Sequence, residues 1–393
     1  MRQFLEGSQA VAESVKLCRP GVISAYPITP QTHIVEGLAQ MVADGDLKAQ
    51  FINVESEHSA ASLVLGASAT GARAFTATSS QGLLLMAEVL FNIAGMRLPL
   101  VLTCANRSVS APINIWNDHQ DAVTVRDSGW IQFWAEDIQD VIDLHIQAYR
   151  LSEDSRVYLP VMVNMDGYIL THGLEVADLP SQKDVDKFLP AYNPSYKLDV
   201  ENPMTLGFLA TPDYYMETRF AIAKTLSDTL EIIPEIAKGF KKVFGRESGG
   251  LLQAYRCEDA EVVLVAKGSL IGTIKDTVDD LRAEGKKVGV LKLITYRPFP
   301  AKAICDCLAK IPNIGVVEKS ISLGATGPLY ADITSVLPKE TKRNIGGFVI
   351  GLGGRDIKKR DIREIFDRLI ESPNPCQFIG IKGDLLKEDS KNE

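Results

Sequence analysis

Short, nearly continuous apolar runs recur through the first 175 residues, at Gly21–Ala25, Phe51–Val54, Ala72–Ala77, Leu98–Cys104 and Leu159–Val163. Runs without polar alternation suit parallel strands covered on both faces. Between them, apolar residues fall at helical spacing over Gln9–Leu17, Gln31–Ala43, Glu57–Ala69, Gln81–Ala94 and Ile138–Leu151. Strands alternating with helices predict a doubly wound parallel sheet.

The helix from Glu57 is rich in small residues (Ala60, Ala61, Gly66, Ala67 and Ala69, then Gly71), which suit close packing against a sheet or another subunit. Regularity lapses from Val176 to Met216, where Pro180, Pro190, Pro194, Pro203 and Pro212 alternate with tyrosines. A loop this long predicts a segment that wraps another domain or subunit. A helix is predicted over Glu217–Phe244, broken near Pro234, and Gly249-Gly250 marks a boundary. A second α/β pattern follows. Its strands are predicted at Glu261–Ala266, Lys287–Leu293, Ile314–Val317 and Gly347–Ile350, and its helices at Thr273–Glu284, Ala301–Ile311, Leu329–Val336 and Ile362–Ile370. After Gly383 the charged tail, Lys387–Glu393, is predicted to fray. The expected fold is therefore α/β with two doubly wound domains, 1–248 (with the wrapping segment 176–248) and 249–393.

A formal charge of −8 disfavours nucleic acid and anionic membrane as partners. The longest apolar stretch, Leu83–Phe91, contains Glu88 and is far shorter than the roughly 20 residues of a spanning helix. The N-terminal segment lacks the apolar core of a signal peptide, so a cytoplasmic location is expected. The six cysteines form no CxxC and no zinc or cluster spacing, which predicts free, mostly buried thiols and no iron–sulfur centre or metal site in this chain.

In open parallel sheets, ligands bind beyond the carboxyl ends of the strands. Four consecutive predicted strands there lead into Tyr26-Pro27-Ile28-Thr29-Pro30, Glu55-Ser56-Glu57-His58, Thr78-Ser79-Ser80-Gln81-Gly82 and Asn106-Arg107. The last is followed by a polar loop, Ser108 to Asp121, holding Asn114, Asn117, Asp118 and His119. Each segment has a plain alternative. Thr29-Pro30 reads equally as a helix cap with proline at the first helical position. Glu57 reads as a first-turn carboxylate favoured by the helix dipole, or as a catalytic group. Arg107 is either a fork for an anionic substrate or half of a structural ion pair. Thr78–Gly82 opens a helix and is a weak candidate for holding an anion on backbone N–H groups. Glu55, Glu57 and His58 do not have zinc spacing.

The strings Tyr26–Pro30, Val54–Ala60, Phe75–Gly82, Asn106-Arg107 and Ser110–Asp121, with Tyr296–Pro300 and Gly351–Asp356, resemble the alpha subunits of thiamin-diphosphate-dependent 2-oxoacid:ferredoxin oxidoreductases, the pyruvate:ferredoxin oxidoreductase family. The resemblance covers nearly the whole chain. It implies a pyrimidine-type thiamin-binding first domain and a transketolase C-terminal-like second. It implies that Tyr26, Pro27, Ile28 and Glu57 meet the cofactor, with Glu57 on its aminopyrimidine. Thr29 and Arg107 would contact the 2-oxoacid, and a loop including Asn114, Asn117 and Asp118 would close over it. The implied reaction is oxidative decarboxylation of pyruvate with coenzyme A to acetyl-CoA, with electrons passing to ferredoxin.

No Gly-Asp-Gly with a distant Asn pair is present to ligate magnesium diphosphate, and no cluster cysteines are present. Both would come from beta, gamma and delta type subunits, the 4Fe-4S clusters included. Alternatives within the family are 2-oxobutyrate, an aryl or branched oxoacid, or oxalate as substrate. A non-catalytic assembly subunit is a further alternative. A nicotinamide dehydrogenase is disfavoured, because no GxGxxG follows the first strand.

Overall fold

The computed structural model describes residues 2–338 and 343–389. It divides into two compact units. The first comprises the described residues up to Gln253 together with Lys267–Ser269 and Leu293–Ala303; the second holds Ala254–Ala266, Leu270–Lys292 and the described residues from Ile304 onward.

In the first unit the strands are β1 (Arg2–Glu6), β2 (Val22–Ala25), β3 (Gln50–Asn53), β4 (Ala74–Thr78), β5 (Val101–Asn106), β6 (Ile131–Trp134), β7 (Val161–Asp166) and β8 (Leu174–Asp178). The helices are α1 (Gly7–Leu17), α2 (Thr32–Ala43), α3 (Glu57–Ala69), α4 (Ser80–Leu85), α5 (Ala87–Gly95), α6 (Gln120–Thr124), α7 (Ile138–Ser152), α8 (Gln182–Phe188) and α9 (Pro212–Phe244). Six strands form one sheet in the order β6-β7-β5-β4-β2-β3, and every adjacent pair runs parallel. The segment Thr295–Arg297, from the Tyr296–Pro300 string, adds an antiparallel strand beside β6. All residues of β4, β5, β6 and β7 are buried, as expected of strands with helices on both faces. The carboxyl ends of β2, β3, β4 and β5 therefore share one edge of one sheet.

The second unit has a six-stranded sheet whose hydrogen-bonded neighbours Val262–Ala266, Val288–Leu293, Asn313–Glu318, Asn344–Val349 and Gln377–Phe378 pair in parallel. Helices over Leu270–Ala283 and Lys359–Glu371 present apolar faces to it, with Ile271, Ile274, Val278, Ile362, Ile365 and Leu369 buried.

Several expectations need correction. The strand β6 has no clean apolar signature, because Gln132 interrupts it; its side chain is buried and donates to the Ala122 carbonyl at 2.9 Å. Helix α9 begins at Pro212 and continues through Pro234 without a break. A buried stripe of Ile222, Thr229, Ile232, Ile233, Ile236 and Phe240 holds it against the core. That packing outweighs the one backbone hydrogen bond a proline removes. The segment from Val176 is not wholly irregular, since β8 pairs antiparallel with β1 and α8 follows. Its later part lies on its own unit: Tyr196 donates to the Arg97 carbonyl at 2.9 Å, and Leu198 N–H to Ala69 at 2.7 Å.

A helix over Gly383–Asp389 takes in the start of the charged tail, and the last four residues, 390–393, lie outside the described ones. All six thiols are free, but Cys305, Cys307 and Cys376 are only half-buried. Gly351, Gly353 and Gly354 all take positive φ around a 3-10 turn, so the glycines of that string serve the backbone conformation.

Candidate active site

Glu57 is the first residue of α3, with Ser56 as N-cap: the Ser56 hydroxyl accepts the Ser59 N–H at 3.2 Å. Its side chain turns inward, leaving the residue 7% exposed. Glu55 behaves differently. It accepts the Ser59 hydroxyl at 2.5 Å, and that bond holds its carboxyl below the usual range. His58 is exposed, so the Glu55-Glu57-His58 string is split three ways and makes no ligand set.

What faces Glu57 is Gly82, in α4. A methyl group on Gly82 would lie 2.6 Å from Glu57 Oε1 and 2.5 Å from Thr78 Oγ1. Both oxygens thus converge on space that only glycine leaves open. The Thr78 hydroxyl is buried and, among the described residues, has no hydrogen-bond partner. An orphaned buried hydroxyl beside a mostly buried carboxylate is costly unless something polar completes it.

Thr29 is exposed, in the loop between β2 and α2, and its peptide bond to Pro30 is cis. It does not cap the helix: α2 begins at Thr32 with Gln31 as N-cap. Gln31 is instead the latch of this loop, fully buried, accepting Ile28 N–H at 3.2 Å and donating to the Ala77 carbonyl at 2.7 Å. Tyr26 and Pro27 are exposed and Ile28 is half-buried in the same loop.

Arg107 is 5% exposed. Its Nη1 donates to the Thr29 carbonyl at 2.8 Å and its Nε to the Asn114 carbonyl at 3.1 Å. Among the described residues no carboxylate pairs with the guanidinium, so the ion-pair alternative fails. Burial pulls its pKa down, and the charges of Asp121 and Tyr168 oppose that pull. Arg107 therefore ties the β2 loop to the loop after β5.

The polar loop is built around Asn114 and Asp121. Asn114 Oδ1 accepts the Ser108 hydroxyl at 3.1 Å and the Trp116 N–H at 2.9 Å. Asn117 and Asp118 are buried: Asn117 donates to the Asn106 carbonyl at 3.4 Å and Asp118 accepts Gln120 N–H at 2.7 Å. These two hold the loop's shape, while Ile113 and Trp116 are its exposed large apolar side chains.

Asp121, unremarked among the sequence candidates, is the centre of the arrangement. Its carboxylate accepts Arg107 N–H at 2.9 Å, Ser80 N–H at 3.0 Å, Asn106 Nδ2 at 3.0 Å and Ala122 N–H at 2.7 Å. Burial pushes its pKa up, and these donors offset part of the rise. The start of α4, a candidate for holding an anion, is thus occupied by the protein's own carboxylate. Ser80 takes φ of 51° to aim its N–H there.

A second buried group anchors the loop's far end. His119 Nε2 lies 2.7 Å from Asp166 Oδ1 at the end of β7, and Lys267 Nζ lies 3.0 Å from His119 Nδ1. The Lys267 ammonium also sits 3.3 Å from the centre of the Trp134 ring. A lone Asp, His or Lys carries no sequence signal for such partners, which come from distant parts of the chain.

Four strand ends of one parallel sheet, a buried first-turn glutamate against a glycine and an arginine-tied loop are the features of a cofactor-dependent α/β enzyme. Residues 13–238 match the thiamine-diphosphate-binding domain of pyruvate flavodoxin/ferredoxin oxidoreductases, and residues 260–362 match core domain II of pyruvate:ferredoxin oxidoreductase. The chain belongs to the pyruvate flavodoxin/ferredoxin oxidoreductase family.

It is 49% identical over 380 residues to the pyruvate synthase subunit PorA of Methanothermobacter thermautotrophicus, covering 97% of this chain and 98% of the relative. It is 47% identical to the PorA of Thermotoga maritima, over 94% of each chain. The ketoisovalerate oxidoreductase subunit VorA of Pyrococcus horikoshii is 41% identical over 95% of each. In fold, the chain is similar to 2-oxoglutarate:ferredoxin oxidoreductase from Magnetococcus marinus, at a TM-score of 0.70 and 21% identity, over 94% of this chain and 65% of that longer one. A split-gene transketolase superposes at a TM-score of 0.54 and 12% identity, over 94% of this chain and 98% of that one. Among the described residues no helix is long and apolar enough to cross a membrane.

Proposed function

We propose that this chain is the alpha-type subunit of a cytoplasmic pyruvate:ferredoxin oxidoreductase and contributes half of a thiamin-dependent active site. The observation that carries the reading is the cradle at Gly82, where the Glu57 carboxylate and the unpartnered Thr78 hydroxyl converge. A flat aminopyrimidine, with ring nitrogens and an exocyclic amine, suits that donor and acceptor set. When bound, thiamin diphosphate would supply an acidic thiazolium carbon and an electron sink for the decarboxylation of a 2-oxoacid. Glu57, largely buried, would hold the pyrimidine and share a proton with it. Tyr26, Pro27 and Ile28 line the loop beside it.

Thr29 presents its hydroxyl toward the substrate's carbonyl oxygen, and Arg107 orients the carboxylate that leaves. Asn114 sets the loop that covers them; Asn117 and Asp118 keep that loop folded. Beta, gamma and delta type subunits supply the magnesium-diphosphate site, the 4Fe-4S clusters and the contacts to coenzyme A and ferredoxin. Pyruvate is favoured over a branched oxoacid because the PorA relatives at 43–49% identity outrank the 41% VorA relative.

The test is to isolate this chain both alone and with the subunits that copurify with it. The chain alone is expected to be colourless and inactive. The complex is expected to reduce ferredoxin with pyruvate and coenzyme A at a higher kcat/KM than with 2-oxoisovalerate, 2-oxobutyrate, arylpyruvate or oxalate. Turnover by the isolated chain, or a preference for another oxoacid, overturns the corresponding part of the proposal.

Gly82→Ala probes the cradle itself. The added methyl must displace the Glu57 carboxylate, and a misplacement of about 1 Å can cost on the order of a hundredfold in rate. Thiazolium C2 proton exchange in the complex is expected to fall by about that factor, with the far-ultraviolet spectrum of the chain unchanged. Exchange at the wild-type rate would remove the cradle from the site.

A further inference from the structure

Three side chains outside the site gather on the first unit: Glu6 at the end of β1, His33 in the first turn of α2 and His172 in the loop between β7 and β8. Each offers one ligand atom, and the three atoms lie within 4.8 Å of one another. We propose that Glu6, His33 and His172 form a binding site for a divalent transition ion of the zinc class.

The donor set selects the ion class. Two imidazoles and one carboxylate suit zinc and its neighbours, whereas magnesium and calcium prefer all-oxygen shells. With bonds of about 2.0–2.2 Å to a common ion, tetrahedral donors stand roughly 3.3–3.5 Å apart. His33 Nδ1 and Glu6 Oε1 are already 2.8 Å apart. Side-chain rotation is enough to even out the three separations, since the His33 side chain is 51% exposed. A fourth position is left for water.

The backbone beneath the ligands is preorganised. In the β1–β8 pair, Glu6 stands opposite Leu174. Gly7 N–H donates to the Gly173 carbonyl at 3.1 Å, and the Ser8 N–H and hydroxyl both donate to the Thr171 carbonyl, at 2.9 and 2.8 Å. Glu6 and His172 are therefore held by flanking hydrogen bonds that do not depend on an ion.

The His172 ring is itself oriented by two neighbours. Its Nδ1 lies 2.8 Å from Thr171 Oγ1, whose oxygen also accepts the Tyr168 N–H at 2.8 Å, and the ring stacks on Tyr168 with centroids 4.7 Å apart. An Nδ1–H directed at a hydroxyl leaves Nε2 as the metal-binding lone pair, the usual outer arrangement of a metal-bound histidine. An ion here would staple the β7–β8 loop to the start of α2, which directly follows the Thr29 loop. The same Tyr168 ring faces Trp116 of the polar loop at 6.1 Å.

The experiment is a zinc titration of the full chain with its thiols alkylated, repeated with cobalt(II) to read the d–d bands of nitrogen and oxygen coordination. One equivalent is expected to bind, with excess magnesium failing to compete. His33→Ala and His172→Ala should each weaken binding by about a hundredfold or more, and Thr171→Val by about ten- to hundredfold, as for an outer-shell partner. His33 is on the surface, so its removal leaves the fold intact. Absence of stoichiometric zinc binding, or wild-type affinity in both histidine variants, overturns the site.

Discussion

Glu57→Gln is expected to slow exchange of the thiazolium C2 proton in the assembled complex by about a hundred- to ten-thousandfold, the range for removing a positioned proton-transfer group. The substitution is nearly isosteric, so the packing against Gly82 survives. What is lost is a group able to hold or share a proton with the cofactor ring. The N-cap of α3 is Ser56, so the helix keeps its start. The removed charge costs the dipole interaction up to about 2 kcal/mol at a buried helix start, and relief of the carboxylate's desolvation offsets part of that. Stability should therefore change little while exchange collapses. An exchange rate within a few-fold of wild type would reduce Glu57 to a helix-start residue. It would also leave the assembly-subunit reading standing.

Arg107→Lys is expected to lower kcat/KM for pyruvate by about ten- to hundredfold, equivalent to a lost charge-assisted hydrogen bond of roughly 1.5–3 kcal/mol. The charge remains, but the fork does not. Arg107 uses Nη1 on the Thr29 carbonyl and Nε on the Asn114 carbonyl, so one planar group sets the separation of two loops. A lysine ammonium carries its N–H groups on one atom, so it cannot reach both carbonyls from the two positions that Nε and Nη1 occupy. The loss should appear in both KM and kcat, because substrate would be held less well and at a poorer angle. Thiamin affinity should be preserved. Unchanged kinetics with pyruvate together with a collapse of thiamin affinity would assign Arg107 to the cofactor.

The local pattern carried much of the arrangement. The Glu57–Ala69 helix coincides with the predicted one, and the strands leading to Thr29, Glu57, Gly82 and Arg107 fall within a few residues of expectation. Their shared edge follows from parallel topology, which repeated strand–helix units enforce. The small residues of α3 fit the same logic: Ala60, Ala61 and Ala69 are buried in tight packing. The polar loop was conspicuous because buried-strand ends rarely carry so many amides and acids. Its inner organisation was not legible. Asn117 and Asp118 were expected in a loop closing over the site, and nothing in the string showed that both would be buried with hydrogen bonds to the loop's own backbone.

Sequence alone settled the fold class, the two α/β patterns and the candidate residues at the strand ends, because apolar periodicity and turn chemistry are local properties of the chain. Tertiary structure decided the partners. Asp121 collects N–H groups from Ser80, Arg107 and Ala122, Gln31 reaches Ala77, and Lys267 meets His119 across 148 positions. No spacing rule encodes such meetings, since burial makes a polar group take whichever donor or acceptor the fold delivers. The same holds at Glu6, His33 and His172, where nothing in the three separate strings suggests a common ion and only the folding of β1, α2 and the β7–β8 loop brings them within reach.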